Sequence, residues 1–135
     1  MTVHHEVQDR FRISVRGHEI VVDQPRPTSG DEGPTPTELF VASLAACAAF
    51  YARRFLARHG LGDGELDVAC EFGWDADHSR VSSIALRVEV PRRLPDGLET
   101  ALLRVIERCT VHESIRRLPV VTCEIVADRP SPALA

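Results

Sequence analysis

The sequence has no excess of positive charge: 16 basic residues face 20 acidic ones, for a formal net charge of -4. No basic stripe is available to meet a nucleic-acid backbone, so DNA and RNA binding has little electrostatic support. Also missing is an apolar run near the roughly 20 residues that cross a bilayer, since the longest, Leu39 to Phe50, is followed by Arg53 and Arg54. That run reads as a buried helix, with no membrane association expected. The N-terminal stretch MTVHHEVQDRF lacks the basic-then-apolar order of a secretory signal. The expected location is the cytoplasm, with the cysteines reduced at rest. Neither an internal repeat nor a low-complexity segment is present. What is there, 135 residues with 44% hydrophobic and 27% charged side chains, suits one folded domain over 1–135. Two domains will not fit, and the composition is not that of a disordered chain.

Periodicity orders the elements. From Val7, the residues Val7, Phe11, Ile13 and Val15 share one parity and Gln8, Arg10, Arg12, Ser14 and Arg16 the other, the pattern of a half-buried strand. Gly17 and His18 read as a turn into a second strand over Glu19 to Asp23, giving a hairpin. Residues 24–36 hold too many prolines and glycines for a regular element. TPTE at Thr35 to Glu38 then matches a capping box, with Pro36 at the first helical position. The helix that follows runs to Gly60, about 24 residues and roughly 36 Å. Leu39 to Tyr51 carries almost no charge, so most of its circumference has to be covered, more than one small sheet can do.

Alternation over Leu66 to Trp74 and over Ile84 to Val90 predicts a second hairpin, and Leu98, Leu102, Val105, Ile106 and Cys109 form the stripe of a second amphipathic helix. A break near Thr110, a short helical piece at HESIRR, a final strand over Val120 to Val126 and the Pro-rich tail PSPALA complete the chain. The expected class is α+β, with antiparallel sheets packed around a long central helix. Its uncovered circumference predicts an obligate homodimer with strands from both chains.

The four cysteines differ in setting. Cys70 and Cys123 lie in apolar strand rows and read as core filler. Cys47 sits mid-helix among alanines that leave room for a backbone or ligand, and an inert buried cysteine fits there as well. Cys109 ends the second helix; if a helix restarts at Thr110, free backbone N–H groups would favour its thiolate, with a capping or core cysteine as the alternative. Nothing local pairs Cys47 with Cys109 across the 61 residues between them.

GPTPTELFVASLAAC at Gly33 to Cys47 and ERCTVHESI at Glu107 to Ile115 resemble the two motifs of the OsmC/Ohr superfamily, GxxPxE(E/x)LxxAxxxC and CPVH or a relative. The resemblance extends in element order over almost the whole chain. It implies an OsmC-like fold, an intertwined homodimer and two interface sites, each built on a cysteine pair. It further implies reduction of organic hydroperoxides or hydrogen peroxide. Cys47 would be the peroxidatic and Cys109 the resolving residue, with no metal or flavin and with an external thiol reductant, of lipoyl type or another thiol.

A mid-helix thiol gains little from either helix end, so a cation is needed. The resemblance points to an N-terminal arginine, for which Arg12, Arg16 and Arg26 are candidates, and to a glutamate ten residues before the cysteine. Thr37 stands at that position and Glu38 at the next, about 14 Å of helix rise from Cys47 and already accounted for by the cap. Thr110 replaces the usual proline. His112 is a candidate to orient the thiol or a water, Phe50 and Tyr51 read as core or interface, and Arg53 and Arg54 as solvated or paired. Two alternatives stay open: a noncatalytic redox sensor or small-molecule-binding protein using the interface pocket, and a zinc site of Cys47, Cys109 and His112, which lacks the clustered pair of structural zinc sites.

Overall fold

The computed structural model describes residues 1–127. The N-terminal alternation folds as three strands: β1 (Thr2–Val7), β2 (Arg10–Val15) and β3 (His18–Val22), an antiparallel meander in that order. A hairpin beginning at Val7 was expected; instead Val7 closes an additional strand, pairs with Arg10, and Gln8 turns the chain at φ 50°. Histidines and one glutamate in TVHHEV obscure the period of β1, so only its pairing with β2 reveals it. The Arg16–Gly17 turn has positive φ at both residues (49° and 80°), the backbone that a two-residue hairpin matched to strand twist requires. One face of the sheet carries Val3, Phe11, Ile13 and Val22. On the charged face Arg12 meets both Glu6 and Glu19, and Arg10 meets Glu6 and Glu32.

The breaker-rich loop is ordered by Asp23, whose buried carboxylate accepts from the backbone N–H groups of Gln24 (2.8 Å) and Glu32 (3.0 Å). It delivers the chain to α1 (Pro36–Arg58) through the expected capping box: Thr35 Oγ1 accepts from Glu38 N, and the Glu38 carboxylate accepts from Thr35 N at 2.8 Å. Two otherwise unpaired backbone donors are thereby satisfied.

After α1 come β4 (Asp67–Trp74) and β5 (Val81–Glu89), antiparallel partners with Val68 opposite Val88, Cys70 opposite Leu86 and Phe72 opposite Ile84. That apolar row faces the helices, and half-buried Cys70 packs in it as expected. A register shift at Gly73/Trp74 takes Trp74 out of the row, and its ring stacks on His78. Then follow α2 (Leu98–Glu107) and α3 (Thr110–Arg116). The core lies where α1 meets α2: Ala48, Ala52, Phe55 and Leu56 against Leu102 and Ile106, flanked by Leu86 and Val88. Ala48 and Ala52 are fully buried, and their small side chains let α2 approach closely.

Two expectations need correction. The strand over Val120 to Val126 is absent: this stretch has no regular structure and stays exposed, Val120 at 92% and Ile125 at 96%. A strand needs a neighbour with free backbone groups, and among the described residues this segment has none; Cys123 is exposed with it rather than filling a core. The absence of a membrane-length apolar segment is the other: the uncharged run stops before Arg53, yet α1 as a whole is long and apolar enough, by length and composition, to cross a membrane. In the fold it is instead the central helix, packed on by α2, β4, α3 and β5. The tail PSPALA lies outside the described residues.

The capping box gives a direct test of how α1 is set. Thr35→Ala removes the oxygen that accepts from Glu38 N, and the expected loss of stability is about 1 kcal/mol, at most ~2, in denaturant titration. An unchanged midpoint would show that packing alone sets the start of α1.

Candidate functional site

Cys47 lies half-buried on α1, one turn after buried Leu44 and beside Ala48. Cys109 is fully buried at the junction of α2 and α3. The turn comes from the sequence itself: α2 ends at Glu107, the Cys109 N–H donates to Ile106 O at 3.0 Å, and Cys109 takes extended backbone angles as the N-cap of α3. Its Sγ accepts from His112 N at 3.4 Å, and its carbonyl accepts from Glu113 N at 2.9 Å. The fold brings the two cysteines close enough that Cys47 bears directly on the titration of Cys109. A second link joins the same elements: the Tyr51 hydroxyl and Thr110 Oγ1 are 3.1 Å apart.

The thiol environment departs from expectation in sign. A backbone donor does meet Cys109, from His112, but burial outweighs it and raises the pKa above that of an ordinary thiol, and the neighbouring Cys47 pushes the same way. Cys109 is therefore held as the neutral thiol at rest.

The other anticipated residues are placed as follows. His112 is half-buried in the first turn of α3, where its backbone N–H serves the thiol and its side chain lines a cavity of about 530 Å³. The cavity wall includes Leu44 from the turn before Cys47, Ile106 from the turn before Cys109, and Phe40, Ile84 and Leu86. Glu38 is not brought to the thiols; its carboxylate is held by Thr35 at the start of α1. Arg12 is engaged by Glu6 and Glu19, Arg16 sits exposed at the β2–β3 turn, and Arg26 Nε donates to Gly30 O at 3.2 Å. None of the three lies on α1, α2 or α3, which carry the thiols. Phe50 is exposed, with the Arg54 guanidinium 5.2 Å over its ring. Among the described residues no three His, Cys, Asp or Glu side chains gather to hold a metal, so the zinc alternative has no ligand cluster behind it. The Tyr51–Thr110 contact went unforeseen, although both residues stand next to the motifs.

The sequence profile of the family described as OsmC-like protein matches residues 29–124, which include both cysteine motifs. The chain belongs to the OsmC-like family. Solved structures repeat the fold of this OsmC-like chain. A Psychrobacter arcticus 273-4 protein named for osmotic-stress induction and a detoxification response superposes with a TM-score of 0.75 at 22% identity, over 84% of this chain and 85% of the other. An OsmC-like protein from Mycoplasma pneumoniae gives 0.72 at 16% identity, over 87% and 86%. An OsmC-like hydroperoxide resistance protein from Jannaschia sp. CCS1 gives 0.56 at 19% identity, over 94% and 91%. No curated protein matches the chain.

Because the folded state holds the Cys109 proton more tightly than the unfolded chain, this group contributes stability below the ordinary thiol pKa of about 8.5. That contribution is lost as pH rises through the higher folded value. Thermal unfolding of the reduced protein between about pH 7 and pH 10.5 is expected to show a falling midpoint, with a shallower fall in Cys109→Ser. Equal slopes would show that the buried thiol does not set alkaline stability.

Proposed function

We propose that this OsmC-like protein is a two-cysteine thiol peroxidase that reduces organic hydroperoxides or hydrogen peroxide. The observation that carries this reading is the proximity of Cys47 and Cys109, two thiols far apart in sequence that the packing of α1 against α2 and α3 brings near each other. The Cys47 thiolate attacks the distal peroxide oxygen; the O–O bond breaks, an alcohol or water leaves, and Cys47 becomes a sulfenic acid. Cys109 sulfur then bonds to Cys47 sulfur as the S–O bond breaks, and the oxygen departs as water with the Cys109 proton. Each cycle moves two electrons from the thiol pair to the peroxide. An external dithiol, for which a lipoyl-type compound is the favoured class, returns them by exchange with the disulfide. His112 donates through its backbone to Cys109 and thus supports the resolving sulfur rather than the attacking one. The cation that activates Cys47 is assigned to an N-terminal arginine reaching the site across a subunit boundary, with exposed Arg16 preferred over Arg12, which Glu6 and Glu19 engage. The setting is a reducing cytoplasm, where the resting pair stays as thiols.

The working unit in this proposal is an intertwined homodimer. Three uncovered apolar features support it: the α1 face with Ala42, Ala46 and Phe50, the sheet face with Val3, Phe11 and Ile20, and the segment from Leu118 to Val126. A second strand-forming chain would cover all three. A noncatalytic redox sensor or small-molecule binder is the second reading, favoured by the 530 Å³ cavity, whose wall mixes apolar with polar side chains, and by Glu38 being committed to the helix cap.

Peroxide consumption by the reduced protein with a dithiol reductant tests the first reading. Cys47→Ser is expected to abolish turnover of cumene hydroperoxide and hydrogen peroxide, and Cys109→Ser to halt after one equivalent. Wild-type protein that consumes neither peroxide would overturn the peroxidase reading, and a small molecule retained on the protein in native mass spectrometry would establish the second. Sedimentation should give about twice the 14.9 kDa chain mass, and Phe50→Asp should shift it toward one chain.

A further inference from the structure

Tyr51 follows Cys47 by four residues on α1, so the two side chains lie one above the other on the same helix face. Thr110 follows Cys109 directly and is the first helical residue of α3. The 3.1 Å contact between the Tyr51 hydroxyl and Thr110 Oγ1 therefore ties the helix turn beside one thiol to the residue beside the other. Proline at that helical position would fix φ by its ring, and its missing N–H would cost nothing there. Threonine has no such constraint but carries a hydroxyl, and in this chain the hydroxyl is used.

We propose that Tyr51 is a positioning residue for disulfide formation, holding the first turn of α3, and with it Cys109, against Cys47. Its place in a catalytic cycle rests on the two-cysteine reading. A disulfide forms only within a narrow range of Cα and Cβ separations, and small displacements of reacting atoms cost disproportionate rate. In the step concerned, Cys109 sulfur bonds to Cys47 sulfur, the Cys47 S–O bond breaks, and water leaves carrying the Cys109 proton. Tyr51 exchanges no proton with either sulfur; it acts through Thr110 alone.

The test separates the two steps. Reduced full-length protein is mixed with one equivalent of cumene hydroperoxide, Cys47 sulfenic acid is trapped with dimedone, and the Cys47–Cys109 disulfide is followed by mass spectrometry. Tyr51→Phe is expected to form sulfenic acid at the wild-type rate but to close the disulfide about three- to tenfold more slowly, the scale of one lost hydrogen bond. In a Thr110→Pro background, where ring rigidity replaces the tether, Tyr51→Phe should add no further slowing. Thr110→Ser, which keeps the hydroxyl, should close at nearly the wild-type rate. Diamide, which oxidises the same pair without peroxide, should give the same ordering. Equal closure rates in wild type and Tyr51→Phe, or a Tyr51→Phe defect undiminished in Thr110→Pro, would overturn the tether. Loss of peroxide reactivity with the diamide ordering intact would count against the peroxidase reading alone.

Discussion

The close approach of α2 to α1 is the constraint on which the rest of the structure depends. Ala48 and Ala52 are fully buried on α1, with Leu102 and Ile106 of α2 in the same core cluster. Larger side chains at the alanines would hold the helices apart, at a cost in overpacking of about 1 to 3 kcal/mol each. Because α2 sits that close, its end at Glu107 falls beside the middle of α1, and the turn into α3 places Cys109 against Cys47. Sheet, cavity and thiol pair are arranged around that one contact.

The chemistry of the site is a contest between burial and hydrogen bonding. A cysteine at a helix N-cap receives backbone donors that stabilise thiolate, and Cys109 receives one from His112. Complete burial and the adjacent thiol oppose it and win. The outcome suits a resolving residue that stays protonated until a sulfenic acid forms beside it. Cys47, half-buried, is the more exposed of the two cysteines, which fits the attacking role proposed for it.

Much of this was legible in the sequence because the signals are local. The TPTE cap and the alternation around Cys70 depend on neighbours within a few residues and fold as read; the helical stripe does so as far as Ile106, whereas Cys109 lies past the end of α2 as the N-cap of α3. What was not legible depends on distant partners. β1 is specified by pairing with β2, against its own polar histidines. The Val120 to Val126 stretch alternates like a strand yet has no neighbour among the described residues. The meeting of Cys47 with Cys109, and of Tyr51 with Thr110, is a property of helix packing that spacing cannot encode. Recognition of the two motifs supplied the cysteine pair, while the place of Glu38 followed from its capping role alone.

The central claim is that Cys47 and Cys109 are one redox unit, distinct from half-buried Cys70 and exposed Cys123. Non-reducing peptide mapping after treatment of the native reduced protein with one equivalent of hydroperoxide tests it most directly. The account predicts a single dominant disulfide, Cys47 to Cys109, with Cys70 and Cys123 still alkylatable. A cross-link through Cys123 in its place, or all four thiols left free, would contradict it.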